Sequence, residues 1–273
     1  MEIFKYAGTH GIKILESCQL KVCDPRSFND PFEFCPQAAR AITAADVEAK
    51  FGDVGFLTNV YEKNREIRDK CPSVAEFLNS IEKDKTRWVE FFLKKFSDAD
   101  KFPPDKFAEI AARYVGVICF SQTCDDILMW SHYANYHCGM VIEFDANYFG
   151  IENLDPVEYG TERPIYNPVF DIHGFEHLVR VTRRKSDHWA YEKEVRLLVD
   201  WDTTKEITVK GDEKMRTLPF SPTAIRRVVL GCMTQEPLVH ETKNVLGVKN
   251  FNHVRLQRML RDLRSYKLHP VDL

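Results

Sequence analysis

Glycine is scarce in this chain, with 12 residues in 273. None stands in the spacing of a dinucleotide-binding turn or a phosphate-cradling loop, which excludes the common nucleotide folds without excluding nucleotides. Long apolar runs are missing as well. No stretch is long enough to span a bilayer and the opening residues do not read as a signal peptide, so we expect no membrane partner and a cytoplasmic location. An excess of one charge is also lacking: 38 basic against 41 acidic side chains leave a net charge of −3, too little to drive wholesale attachment to nucleic acid. The eight cysteines show no paired spacing, and several sit in apolar runs such as Val117-Ile118-Cys119-Phe120, as reduced intracellular thiols do.

What is present is a globular composition, 44% apolar, ample for a real core. A strand over 2–6, a helix over 11–19 and a strand over 20–23 open the chain. A turn-rich knot of aromatic and acidic residues follows, Phe28-Asn29-Asp30-Pro31-Phe32-Glu33. From about 44 to 114 the pattern becomes helical. Ser73 and Glu76 form a capping box, and Phe77, Ile81, Trp88, Val89, Phe92 and Phe96 recur at core-facing spacing. Pro103-Pro104 starts a further helix. Strands are expected at 115–121, 140–144, 157–159, 195–199, 207–209 and 227–230, with an irregular connection marked by Pro156, Pro164, Pro168 and Gly174. Asp125 or Asp126 caps a short helix through Trp130 and Tyr133, which Gly139 ends in the left-handed conformation. The basic stretch from Arg255 to Lys267 reads as a solvated helix face. The economical fold is one α+β domain over 1–273, with a mixed, largely antiparallel sheet and a helical insertion at about 44–114.

Three constellations bear on chemistry. Glu192-Lys193-Glu194 stands at a strand entrance, where residues two apart project to one face, and neighbouring carboxylates can take different protonation states. A solvated charge cluster with Arg196 paired to Glu194 is the plainer alternative. The segment from Trp130 to Gly139 is dense in polar aromatics that are costly to bury without partners. Cys119, Cys124, His132, His137 and Cys138 are of ligand type but lack zinc-site spacing, so no metal is expected. A metal-dependent nuclease would need Asp145, Asp187, Glu192 and Glu194 beside Lys193 or Arg196, in an order that does not match the usual one.

Taken in order, Phe28-Asn29-Asp30-Pro31-Phe32-Glu33, Cys119-Phe120-Ser121, Met129-Trp130-Ser131-His132-Tyr133-Ala134 with His137 and Gly139, and Trp189-x-Tyr191-Glu192-x-Glu194-x-Arg196 resemble the bacterial family called domain of unknown function 2971. The opening strand, helix and strand also look like the entrance of the ADP-ribosyltransferase fold. Enzymes of that fold carry an Arg, His or Tyr on the first strand, a Ser-x-Ser/Thr or Tyr on a central strand, and a Glu, often Glu-x-Glu, on a later one. Here Tyr6 (or Lys5), Ser121-Gln122-Thr123 and Glu192-Lys193-Glu194 follow that order; the departures are the missing Arg and the helical insertion.

The resemblance implies an NAD-dependent ADP-ribosyltransferase-like enzyme of bacterial anti-phage defence or toxin action, with NAD as substrate and an unassigned acceptor. It implies catalytic roles for Glu194, Glu192 and Tyr6. Ser121, Thr123, Trp130, His132, Tyr133, Asn29, Asp30 and Arg196 would contact the dinucleotide. Two other classes compete: a metal-dependent nuclease or hydrolase of a defence system, and a non-catalytic nucleotide-sensing or interaction module.

Overall fold

The computed structural model describes residues 1–38, 43–95, 106–166, 175–208 and 214–273. Phe96, Pro103, Pro104, Pro168, Gly174 and Val209, on which parts of the sequence reading rest, lie outside them. The chain divides into two compact units. One comprises Met1–Phe34, Ala108–Arg163 and Thr182–Leu273; the other comprises Cys35–Phe107 and Pro164–Val181.

In chain order the elements are β1 (Glu2–Ala7), α1 (Ile12–Ser17), β2 (Gln19–Lys21), β3 (Gln37–Ala38), α2 (Ala44–Lys50), α3 (Val54–Lys63), α4 (Arg65–Lys70), α5 (Val74–Lys83), α6 (Lys85–Lys95) and α7 (Lys106–Tyr114). Then come β4 (Val115–Ser121), α8 (Ile127–Tyr133), β5 (Met140–Asp145), α9 (Ala146–Phe149), β6 (Leu154–Pro156), β7 (Glu158–Gly160), β8 (Ile165–Tyr166), α10 (Phe175–Thr182), β9 (Arg184–Ser186) and β10 (Glu194–Asp200). The chain closes with β11 (Lys205–Thr208), β12 (Lys214–Pro219), β13 (Ile225–Leu230), α11 (Glu236–Leu246), β14 (Arg255–Arg261) and β15 (Leu268–Asp272).

The second unit holds α2 to α6, the start of α7, most of α10 and the small parallel pair of β3 and β8. Its helices begin where side chains can hold the first free N–H groups. Thr43 and Asp46 form a capping box, and Ser73 Oγ accepts from the Glu76 amide. Phe77, Ile81, Trp88, Val89 and Phe92 are buried together, so the helical spacing is a core stripe.

The first unit is built on an eight-stranded sheet in the order β15-β14-β13-β5-β1-β4-β10-β6. All its pairings are antiparallel except β13 with β14, which α11 links in sequence. The fold is thus α+β with a mixed, largely antiparallel sheet. Alternation along the strands divides its two faces. Ile3, Ile118, Phe120, Ile142, Phe144, Val195, Leu197 and Val228 join one core with residues of α1 and α11. Phe4, Tyr6, Val141, Val229 and Met259 form the other with Met129 and Trp130 of α8.

Two expectations are corrected. Residues 255–261 form strand β14, paired on both sides, not a helix face. Their arginines recur every three residues, which reads as helical until the β13 edge supplies backbone partners. Gly139 does not end α8 in the left-handed conformation; Asn135, Tyr136 and His137 do, at φ 47°, 53° and 66°. Gly139 is needed for a different reason: a Cβ there would stand 2.2 Å from the Ala7 carbonyl oxygen. Among the described residues, no helix is long and apolar enough to cross a membrane.

Candidate functional site

The sheet is nearly broken at its centre. β1 pairs with β4 only at Phe4 and Ser121, whereas it pairs with β5 along its whole length. Further back, the edge of β4 is taken by Cys23, which exchanges two backbone hydrogen bonds with Val117. Between these points the Lys5 ammonium reaches across and donates to the Cys119 carbonyl at 2.9 Å. A cavity of about 260 Å³ opens at this gap. Lys5 and Tyr6, neighbours that alternate faces on β1, both line it. Phe4, Phe28, Phe120, Met129 and Tyr133 give it an apolar and aromatic wall; Asn29, Ser121, Glu33, Lys185, Glu192 and Glu194 give it a polar one.

Ser121 is the joint of the site. Its register places Phe4 on one side and Glu194 on the other. Its Oγ donates to the Glu192 carbonyl at 2.6 Å and accepts from the Thr123 amide at 3.1 Å. Tyr6 donates its hydroxyl to the Thr123 carbonyl at 3.0 Å. Burial pushes the Tyr6 phenol well above its usual range, so it stays protonated. Asp126 accepts from the Leu128 and Met129 amides and starts α8, which then carries Met129 and Tyr133, one turn apart, into the cavity wall.

The two central carboxylates converge, but not by strand alternation. Glu192 ends the 3-10 turn Asp187–Glu192, Lys193 follows in the left-handed conformation at φ 44°, and only Glu194 belongs to β10. Lys185, on β9, draws them together: its ammonium lies 2.6 Å from Glu192 Oε2 and 3.3 Å from Glu194 Oε2. Tyr133 donates to Glu192 Oε1 at 2.6 Å, and the Tyr159 hydroxyl accepts the Glu194 amide at 2.7 Å. Burial raises the Tyr133 phenol, and its bond to Glu192 raises it further.

Arg196 lies behind the lining. It binds both oxygens of Glu194, one oxygen of Glu33 and the Thr182 carbonyl, with the Phe28 and Phe34 rings each 5.4 Å from its guanidinium carbon. Burial works against ionised Glu194, but Arg196 and then Lys185 outweigh it and hold its carboxyl at about 2. Burial pushes Glu33 up, against the pull of Arg196. Glu33, Glu192 and Glu194 meet Lys185 and Arg196 in one buried cluster. The pairing of Arg196 with Glu194 in the plainer reading holds, but the cluster is not solvated, since all five side chains are at most 5% exposed.

The structure thus gathers Tyr6, Ser121, Tyr133, Asn29, Glu192 and Glu194 around one cavity. It moves five of the expected contacts away from it. Arg196 is buried behind Glu194 with its donors occupied. Trp130 is fully buried, donates to the Cys124 carbonyl at 2.7 Å and packs edge-on against Tyr6. Thr123 acts through its backbone, with its hydroxyl on Asp125. His132 is exposed, beside Tyr133 and Tyr191. Asp30 is buried and turns one oxygen to the Phe32 amide.

Lys185 and Glu33 were missed as site residues, whereas Lys5, the alternative to Tyr6 on the first strand, lines the cavity beside it. Lys185 stands in a basic run, Arg183-Arg184-Lys185, yet it is buried on β9 against Glu33, Glu192 and Glu194. The site acids face two buried cations rather than a common empty centre, and among the described residues no three His, Cys, Asp or Glu side chains are grouped to hold a metal ion.

Comparison with known protein families, with curated proteins and with solved structures returns no match.

Proposed function

We propose that this cavity binds the nicotinamide half of NAD and that the protein is an NAD-dependent ADP-ribosyltransferase-like enzyme. The observation that carries the reading is the meeting of Tyr6 from β1, Ser121 from β4 and Glu194 from β10 around one cavity, in the order in which these elements occur in that fold. A volume of about 260 Å³ is below the roughly 300–1,000 Å³ of sites that enclose a whole drug-sized ligand, and suits one ring with its ribose.

The chemistry follows from the groups present. As the bond from ribose C1′ to the nicotinamide nitrogen breaks, its electron pair returns to the ring and neutralises it. Positive charge grows on the ribose, and an acceptor nucleophile then bonds C1′ and gives up its proton. The ionised Glu194, fixed by Arg196 and Lys185, favours that charge with no reorganisation at the moment of reaction. Glu192, held by Tyr133 and Lys185, is placed to orient or deprotonate the acceptor. Tyr6, Phe4 and Tyr133 supply ring faces. Protein side chains, nucleic acid, small molecules and water are all acceptors compatible with this scheme, and bacterial defence or toxin action is the setting in which we place it.

One observation favours a second reading. Both Glu194 oxygens already hold hydrogen bonds from Arg196, as suits a rigid nucleotide sensor that binds without turnover. Nicotinamide release by the purified protein, with bacterial lysate as a source of acceptors, separates the two. Release that disappears in a folded Glu194→Gln variant supports the enzyme. Release at an unchanged rate in that variant overturns the role of Glu194. NAD binding without release leaves the sensor, and neither binding nor release turns the search to metal-dependent hydrolysis.

A further inference from the structure

We propose that Glu33 selects the ligand of this cavity, pairing with a carboxamide and rejecting a carboxylate in its place. The proposal rests on the dinucleotide reading above. It starts from a buried oxygen without a hydrogen bond. The Glu33 side chain is 1% exposed and lines the cavity. Arg196 holds Oε1 through Nη2. Oε2 has no hydrogen bond. The Lys185 ammonium stands 3.5 Å from it, but is closer to Glu192 Oε2, at 2.6 Å. Buried polar side-chain atoms nearly always have a partner in folded proteins, so an open carboxylate oxygen in a cavity wall marks a place for a donor from a ligand.

The surroundings narrow the class of donor. Burial raises Glu33 while Arg196 opposes it. A primary amide suits either form: its NH₂ donates to a carboxylate, and its carbonyl accepts from a carboxylic acid. A ligand carboxylate offers acceptors alone. Beside Glu33 it would also join Glu192 and Glu194, three acids already set against two cations. The further cation of the lining, Lys5, lies on β1 and is engaged with the Cys119 carbonyl at 2.9 Å.

The test is calorimetric titration of the full chain with NAD and with its deamidated analogue, in which nicotinic acid replaces nicotinamide. We expect the wild type to bind NAD at least about tenfold more tightly than the analogue. In Glu33→Gln, which keeps a donor and an acceptor but removes the charge, the ratio should shrink to within about threefold. A purely structural role for Glu33 would weaken both ligands alike and leave the ratio unchanged, which would overturn the proposal. Equal affinities in the wild type would overturn it too, while leaving the dinucleotide reading intact. Binding of neither ligand would overturn both. The wild-type comparison stands even if the variant fails to fold.

Discussion

Arg196 faces Glu194, two residues before it on β10, through two hydrogen bonds, Nε to Oε1 at 2.8 Å and Nη2 to Oε2 at 2.9 Å. Residues two apart on a strand share a face, so the fork of the guanidinium closes on the carboxylate without bending the backbone. Two further donations go to Glu33 and to the Thr182 carbonyl, so one side chain ties β10 to both.

Replacing Arg196 by Met should therefore be strongly destabilising. It removes a buried cation and leaves Lys185 alone with three carboxylates. Breaking a buried pair in this way costs about 3–5 kcal/mol. Urea unfolding measures it, and a loss below about 1 kcal/mol would mean that water reaches the cluster.

Acid should act on stability through Glu194 and Glu33 with opposite signs. The folded Glu194 carboxyl sits at about 2 against an ordinary 4.5, so its contribution is full above 4.5 and is lost as pH falls toward 2. Glu33 is raised, so the folded chain holds its proton more tightly; its contribution is full below 4.5 and declines as pH rises through the folded value. In thermal unfolding followed against pH, Glu194→Gln should flatten the acid limb between 4.5 and about 2. Glu33→Gln should instead reduce the fall in stability above 4.5. An acid limb unchanged in Glu194→Gln would assign it to other carboxylates.

Gly231→Ala should unseat α8. The new Cβ would stand 2.0 Å from the His137 carbonyl oxygen, which accepts from the Met233 amide at 3.0 Å. That carbonyl ends the run of three left-handed residues, itself costing roughly 1–2 kcal/mol per residue, so there is little slack to absorb the clash. We expect a loss at or above about 3 kcal/mol, the top of the usual overpacking range, together with weaker ligand binding, because α8 carries Met129 and Tyr133. Gly52→Ala, where a Cβ meets nothing within 4 Å, serves as the control and should stay within about 0.5 kcal/mol.

Much of the first unit was legible in the sequence because its central strands are β-branched and apolar. β4, β5, β10 and β13 could be read from composition alone. β14 was not, since arginines at Arg255, Arg258 and Arg261 mimic helical spacing and the strand is fixed by its neighbours. Tyr6, Ser121, Tyr133, Glu192 and Glu194 were legible as polar groups at strand and helix ends. Lys185 and Glu33 were not, because nothing local distinguishes a buried lysine among surface arginines, or a glutamate waiting for an arginine 163 positions away. Arg196 and Trp130 were read as ligand contacts because their chemistry suits a ligand, but burial commits that chemistry to the scaffold.

The single register pair between β1 and β4 makes the eight-stranded sheet two ribbons stitched at one point. Most sheets fray from their outer strands inward. This one has a weak seam in its interior, held by Phe4, Ser121 and the reach of Lys5. Solvent deuterium should therefore enter from the middle of the sheet as well as from its margins, and a ligand seated in the seam would slow that inner route while leaving β14 and β15 untouched.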